Sequence, residues 1–264
     1  MDAKTARSLI ALDNRFYADH AASFSATRST PWAGWTQLVE ALGRTGWLTS
    51  RRELSVLDLA CGNLRFERFL SKALPGVRFH ITALDACPAL AGDAGLANVE
   101  YRQLDILSAL FAVPDASPEL ADRPCELAVC FGFMHHVPGA ALRRRVLDAL
   151  LDATAAGGML AISFWSFMDD PRLAAKARAA DSSALEMPPF PRFSAAALDD
   201  GDHFLGWQRD PSALRYCHHF DEREIDGLAA HAASHGAHEV ARFSADGASG
   251  ALNRYLLLAR EPPR

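Results

Sequence analysis

The chain has 264 residues, half of them hydrophobic, and a formal net charge of -5 at pH 7. That is enough apolar material for one large core, yet no apolar run reaches the ~20 residues of a membrane span. The acidic balance argues against a protein that coats nucleic acid by neutralising many phosphates, and Cys61, Cys87, Cys125, Cys130 and Cys217 form no CxxC pair or other zinc-ligand spacing.

The opening residues, Met1-Asp2-Ala3-Lys4, lack a signal-peptide pattern, so a cytoplasmic protein with reduced cysteines and no metal is expected. Residues 1–49 read as helical: Leu9, Leu12, Phe16 and Tyr17, then Trp35, Leu38, Val39 and Leu42, recur at helix-compatible spacings. Between them, residues 24–32 are rich in Ser, Thr and Pro and interrupt the helix. Such a segment can fold over a ligand cleft as a lid. From spacing alone Arg28 reads as a solvated loop arginine, and Trp32 and Trp35 as packing residues.

Residues 55–70 organise the rest. Val56, Leu57 and Leu59 form the apolar run of a buried strand, and Leu64, Phe66, Phe69 and Leu70 approximate a one-sided helical stripe. The change of period falls at Gly62. A strand feeding directly into a helix is the unit of a doubly wound parallel sheet, whose ligands bind at the carboxyl ends of the strands. A dinucleotide would need several glycines for its pyrophosphate, and Ala60 and Leu64 stand where further glycines would be. S-adenosylmethionine carries no phosphate, so one close backbone approach suffices. Asp58 at the strand end can face its ammonium group, although an isolated aspartate here would read as a capping acid. Asp85 closes the next strand candidate, 80–85, where a carboxylate can accept both ribose hydroxyls.

A short helix or turn is expected over 88–95 and a third strand within 99–107. Asp105 follows it, placed to accept from an adenine amino group or to cap a helix. A loop with Pro114, Pro118 and Pro124 leads to the apolar fourth strand, 126–131, ending in Phe131. His135 and His136 follow at the cleft end of the sheet, where one ring can orient an acceptor or take a proton and at least one is expected to be structural. Leu142, Val146, Leu147, Leu150 and Leu151 line a helix whose other face, Arg143 to Arg145, reads as solvated. Gly157-Gly158 ends that segment before a fifth strand, 159–165.

Residues 168–214 break the rhythm with Pro171, Pro188, Pro189, Pro191 and Pro211, and read as an insertion capping the site, with a helix near 173–185. Asp221 is a candidate N-cap with Glu224 three residues on, as in a capping box. Its helix stops at His235-Gly236, and strands at 238–244 and 252–259 close the sheet as an antiparallel pair. The expected organisation is one doubly wound α/β domain. It comprises a helical segment over 1–49, a cofactor-binding half over 50–167, a cap over 168–214 and closing elements over 215–264.

The ordered set Val56-Leu57-Asp58-Leu59-Ala60-Cys61-Gly62-Asn63, Asp85, Asp105 and the strand before His135-His136 resembles the class I S-adenosylmethionine-dependent methyltransferases over residues 50–165. The resemblance implies a seven-stranded, mostly parallel sheet with an antiparallel last strand. It also implies that Asp58, Ala60, Gly62, Asp85, Asp105 and Phe131 hold the cofactor. Ala60 and Leu64 replace glycines common in that family, which implies a less open cofactor loop. A narrower match lies outside this core. Residues 17–32, from Tyr17 through Phe24-Ser25-Ala26-Thr27-Arg28 to Pro31-Trp32, together with Phe164-Trp165, Arg215-Tyr216 with His219-Phe220, and Asn253-Arg254-Tyr255, are similar to segments of the wobble-uridine tRNA methyltransferases. Members of that family esterify a carboxymethyl group on the anticodon's wobble uridine, and eukaryotic ones work with a small zinc-binding activator subunit. The resemblance implies tRNA as partner, Arg28 and Arg215 on the substrate carboxylate or RNA phosphate, and His135 beside the transferred methyl. The 168–214 insertion lacks the dense lysines of an RNA-facing cap, and the negative charge suits a small carboxylate or hydroxyl acceptor instead. The altered glycines suit a third reading, a catalytically silent methyltransferase-like subunit that binds a partner.

Overall fold

A computed structural model describes residues 1–92, 95–113, 117–208 and 210–262, the side chains of 211 and 212 excepted. Pro114, residues 93–94 of the segment expected as a short helix or turn, and the side chain of Pro211 lie outside what is described. The strands are β1 (Glu53–Leu59), β2 (Arg78–Asp85), β3 (Val99–Gln103), β4 (Cys125–Cys130), β5 (Thr154–Trp165), β6 (Asp202–Trp207), β7 (Asp210–His218), β8 (Ala237–Ala245) and β9 (Asn253–Arg260). Seven of them form one sheet in the order β3-β2-β1-β4-β5-β9-β8, parallel except that β9 runs against both neighbours. The expected doubly wound sheet with an antiparallel last strand is therefore present.

Alternation along the strands builds two layers of core. Leu57 and Leu59, Ala128 and Cys130, and Leu160 and Ile162 face one layer, while Val56, Leu127, Val129, Met159 and Ala161 face the other. The first layer is closed by α5 (Ile106–Ala112), α6 (Ala140–Ala153) and α8 (Glu222–Ser234), the second by α2 (Ala33–Arg44) and α3 (Arg65–Ala73). The strand order reverses between β1 and β4, and a crevice opens there at the carboxyl ends.

The N-terminal helix α1 (Ala3–Ala26) starts under the Asp2 carboxylate, which accepts from the N–H groups of Lys4 and Thr5 at 2.9 Å. It runs through Phe24, so the interruption is confined to 27–32. It packs along β7 and against α4 (Pro88–Ala91). In the cap, α7 (Pro171–Glu186) is followed by β6 and β7, an antiparallel pair that sequence reading did not anticipate. The boundary drawn at 214/215 falls inside β7. No helix among the described residues is long and apolar enough to cross a membrane.

Three further expectations are corrected. Strand β5 begins at Thr154, before the Gly pair, because a register shift against β4 lets the backbone bulge. A Cβ on Gly158 would come within 2.8 Å of the Glu126 carbonyl oxygen, a contact only glycine permits. The arginine face of α6 is not uniformly solvated: Arg143 is buried, pairing with Glu224 at 2.7 Å and donating to the Val137 carbonyl at 3.0 Å, and Arg145 donates to the Leu110 and Val113 carbonyls. The capping box is half formed. Asp221 accepts from the Glu224 N–H at 2.8 Å, but the Glu224 carboxylate is taken by Arg143 and by His218 Nε2 at 2.6 Å.

Candidate active site

A cavity of about 1190 Å³ lies over the carboxyl ends of β1, β2 and β4. It exceeds the ~300–1,000 Å³ of a usual single-ligand pocket. Asp58, Ala60, Gly62, Asp85, Asp105, Phe131, His135, Arg28 and Arg215, all singled out from sequence, line it.

The cofactor loop keeps its shape without its glycines. Ala60, Gly62 and Leu64 all sit at positive φ, 64°, 56° and 57°. Two residues with side chains thus hold the left-handed conformation that glycine adopts freely, at a cost of roughly 1–2 kcal/mol each. The Leu64 side chain turns into a buried cluster with Cys61, Ala83 and Ala91, and a Cβ on Gly62 would meet nothing within 4 Å. Ala60 and Leu64 are thus accommodated with the left-handed backbone retained. The Asp85 carboxylate fastens this turn, accepting the Gly62 N–H at 2.9 Å on one oxygen and the Cys87 N–H at 2.8 Å on the other.

Beneath the loop Asp58 is 2 % exposed and Glu67, on α3, is fully buried. Among the described residues neither forms an ion pair, and the two carboxyl groups hydrogen-bond to each other. Burial, then the charge of Glu67 and the hydrogen bond with it, then the charge of Asp85, raise Asp58 well above the usual carboxylate range, and burial pushes Glu67 up to about 7. A set of buried acids without a cation suits a ligand that brings an ammonium and a sulfonium. Asp105 caps α5 through the Ser108 N–H at 3.0 Å and also accepts from Asn14 Nδ2 at 2.8 Å, so both readings of it are compatible with its place on the cavity wall. Phe131 packs edge-on to Phe66 at 4.9 Å. The chemistry of this half suits S-adenosylmethionine: its acids could hold the cationic end, and Asp85 and Asp105 on the wall could accept from a ribose and a base.

The 27–32 segment is pinned across the mouth. Asn63 Nδ2 donates to the Arg28 carbonyl at 3.0 Å and Arg65 to the Thr30 carbonyl at 2.6 Å. Trp32 packs so closely on Gly132, at φ 69°, that an added Cβ there would stand 2.9 Å from its ring. Trp32 and Trp35 thus pack, as read from sequence, beneath the Arg65 guanidinium.

The other half of the cavity is cationic. Arg28 lies half-buried over the Phe24 ring, 4.5 Å from its centroid, rather than in solvent. Burial lowers its pKa, as does the charge of Arg215. Arg215, 7 % exposed, lies between Phe16 and Trp207, its carbon 5.0 and 5.5 Å from their centroids, and its Nη1 has no hydrogen-bond partner. Neither arginine pairs with a carboxylate among the described residues. His135, 8 % exposed, stacks obliquely on Trp165 at 4.8 Å with Nδ1 unpartnered. Burial, and then the positive neighbours His136, Arg215 and Arg28, hold it well below the usual histidine range, so it is neutral at pH 7.

His136 is the structural ring of the pair: Nδ1 lies 2.9 Å from both Asp13 Oδ2 and the Tyr216 carbonyl, and Nε2 lies 2.7 Å from the Tyr17 hydroxyl. Ring nitrogens of both histidines and Cys217 Sγ fall within 4.8 Å of one another, a proximity hidden in chain spacing. With both nitrogens of His136 engaged, this is a hydrogen-bonded cluster. Asp13, Tyr17, Glu67 and Trp207 were missed by sequence reading. Only the helical spacing of Asp13, Phe16 and Tyr17 hinted that they share a face. Of the other end segments, Asn253 and Tyr255 both donate to Asp246, Arg254 pairs outward with Glu222 and Asp169, and His219 accepts from the Met168 N–H.

No protein-family model matches the chain, and no curated protein does. Solved structures do match. A methyltransferase from Methanosarcina mazei described as S-adenosylmethionine-dependent is 14 % identical with a TM-score of 0.57, over 81 % of this chain and 95 % of that one. The 1,6-didemethyltoxoflavin N1-methyltransferase of Burkholderia thailandensis, solved with that compound and S-adenosylhomocysteine, is 14 % identical with a TM-score of 0.59, over 100 % and 92 %. An amino pentose methyltransferase from Micromonospora echinaspora with bound S-adenosylmethionine is 16 % identical with a TM-score of 0.51, over 91 % and 95 %. The chain has the fold of the class I S-adenosylmethionine-dependent methyltransferases.

Proposed function

We propose that the chain is an S-adenosylmethionine-dependent methyltransferase that esterifies a carboxylate, and that its acceptor is the carboxymethyl group of a tRNA wobble uridine. Bound against Asp58, Gly62, Asp85 and Asp105, the cofactor supplies an electrophilic methyl whose transfer to a carboxylate oxygen leaves the electron pair on sulfur and moves no proton. The acceptor is already ionised at neutral pH, so alignment is what the protein provides. The observation that carries this reading is Arg215, a buried guanidinium with an unpartnered Nη1 on the cavity wall, beside Arg28 and in an ion pair with no carboxylate among the described residues. A carboxylate satisfies both arginines by charge-assisted hydrogen bonds. Neutral His135, on Trp165, gives the transferred methyl a wall that does not compete for the anion.

The choice of tRNA rests on the segments similar to the wobble-uridine enzymes, two of which supply Arg28 and Arg215. A small activator subunit belongs to the same proposal, as does work in the cytoplasm. Nucleoside mass spectrometry of tRNA from cells with and without the gene tests it: loss of a carboxymethyl ester on uridine supports the reading, and an unchanged nucleoside profile refutes it. A small-molecule carboxylate acceptor is the second reading. It is favoured by the net charge of -5 and by two structural neighbours whose names carry small-molecule acceptors.

A further inference from the structure

Three side chains that the cavity does not use meet between α6 and α8. His231, in the last turn of α8, and His235, which caps it, stand four residues apart and so share a face of the helix. Their ring centroids are 4.3 Å apart. Asp148 reaches them from α6, with Oδ1 2.6 Å from His231 Nε2. A nitrogen of each ring and an Asp148 oxygen fall within 4.8 Å of one another, and none of the three residues lines the cavity.

The hydrogen bonds show which atoms are free. A carbonyl only accepts, so the 2.8 Å contact between His235 Nδ1 and the His231 carbonyl places a proton on Nδ1. The neutral ring then carries its lone pair on Nε2, which has no partner among the described residues. One nitrogen braced on a backbone carbonyl and the other bare is the arrangement of a metal-binding histidine. Asp148 pairs with no lysine or arginine among the described residues, which leaves its negative charge for another cation.

We propose that Asp148, His231 and His235 bind one divalent ion of the zinc class, which clamps α6 to α8. Two imidazoles and a carboxylate, with water in the fourth place, form a tetrahedral set that Zn²⁺ accepts, whereas Ca²⁺ and Mg²⁺ ask for oxygen ligands. The ion replaces the proton between His231 Nε2 and Asp148. That proton moves to His231 Nδ1, which has no partner among the described residues, so the ring stays neutral. The gap between nitrogen and oxygen opens from 2.6 Å to about 3.3 Å, the edge of a tetrahedron with bonds of about 2.0 Å. Cysteine spacing pointed to no metal, and this site contains no thiol. The inference does not depend on the acceptor proposed above.

The test titrates the full chain, free of any affinity tag, with Zn²⁺ and with Co²⁺. Calorimetry is expected to give one ion per chain. The melting temperature is expected to rise by about 5–10 °C at an ion concentration about 100 times the Kd, and Mg²⁺ at the same concentration should leave it unchanged. Bound Co²⁺ should show no thiolate charge-transfer absorption. Asp148→Asn and His235→Ala are each expected to weaken binding by about 10- to 100-fold or more, since loss of a group that merely supports a ligand already costs that much. His235 is exposed, so its substitution leaves the fold in place. Binding only at millimolar ion, an equal response to Mg²⁺, thiolate absorption that puts the ion on a cysteine, or unchanged affinity in either variant overturns the inference. None of these results bears on methyl transfer.

Discussion

The Oδ2 atom of Asp85 accepts the Gly62 N–H at 2.9 Å, so the end of β2 holds the turn that follows β1. One carboxylate thereby shapes the loop while standing on the cavity wall, where the proposed function has it accept from the cofactor's ribose. Asp85→Ala is expected to weaken S-adenosylmethionine binding about 100-fold, the loss of two charge-assisted hydrogen bonds, and to lower the stability of the free protein by about 1–3 kcal/mol, because the Gly62 and Cys87 N–H groups lose their acceptor. Titration calorimetry and urea denaturation read the two effects separately.

The acids under the loop make the free protein sensitive to pH. Glu67 has a folded pKa of about 7, above its usual 4.5, so between those values the folded chain binds more protons than the unfolded chain. Stability is therefore expected to fall as pH rises from about 4.5 through about 7, and Asp58, raised in the same direction beside Glu67, adds to the fall. Glu67→Gln should make the slope shallower. Denaturation midpoints at several pH values, without cofactor, check the sign; stability rising with pH in this window would contradict it.

Much of this centre was legible in the chain. Asp58, Gly62 and Asp85 could be placed because a change of hydrophobic period marks where strands end, and strand ends are where such a sheet binds ligands. The left-handed backbone at Ala60 and Leu64 was not legible, because glycine is the residue type that signals it. Glu67 could not be found, since a glutamate in the first turn of a helix reads as a dipole-facing surface residue. Asp13 and Tyr17 stayed hidden for a different reason: their partners His136 and Tyr216 lie more than a hundred residues away, and only the packing of α1 against β7 brings them together. The β6–β7 pair likewise owes its existence to α7 and α1 beneath it, through Phe204, Leu214 and Tyr216.

Arg143 joins α6 to α8 from inside. Its pairing with Glu224 at 2.7 Å also steadies His218, which bridges Glu224 and the buried Asp202. Arg143→Ala is expected to cost about 3–5 kcal/mol, the range for a buried pair that loses one partner. Chemical denaturation measures it, and a change below about 1 kcal/mol would show the pair to be solvated.

Arg215 should trade stability against function. Its unpartnered Nη1 is a burden to the free protein, so Arg215→Leu is expected to leave stability unchanged or raise it by about 1 kcal/mol. Methyl transfer should nonetheless fall about 100-fold or more in kcat/KM, since the acceptor loses a charged partner. Thermal unfolding and steady-state kinetics on the same preparation decide the matter; a destabilised variant with normal kinetics would assign Arg215 a purely structural role.

The most direct measurement is the alkali lability of the transferred methyl group. tRNA from cells lacking the gene is incubated with the protein and S-adenosylmethionine labelled in its methyl, then treated with mild base. A carboxylate acceptor predicts label in the tRNA that mild base releases as volatile methanol, as an ester must. Label that survives the base, on a ring nitrogen, a carbon or an ether oxygen, or no label in tRNA at all, would contradict it.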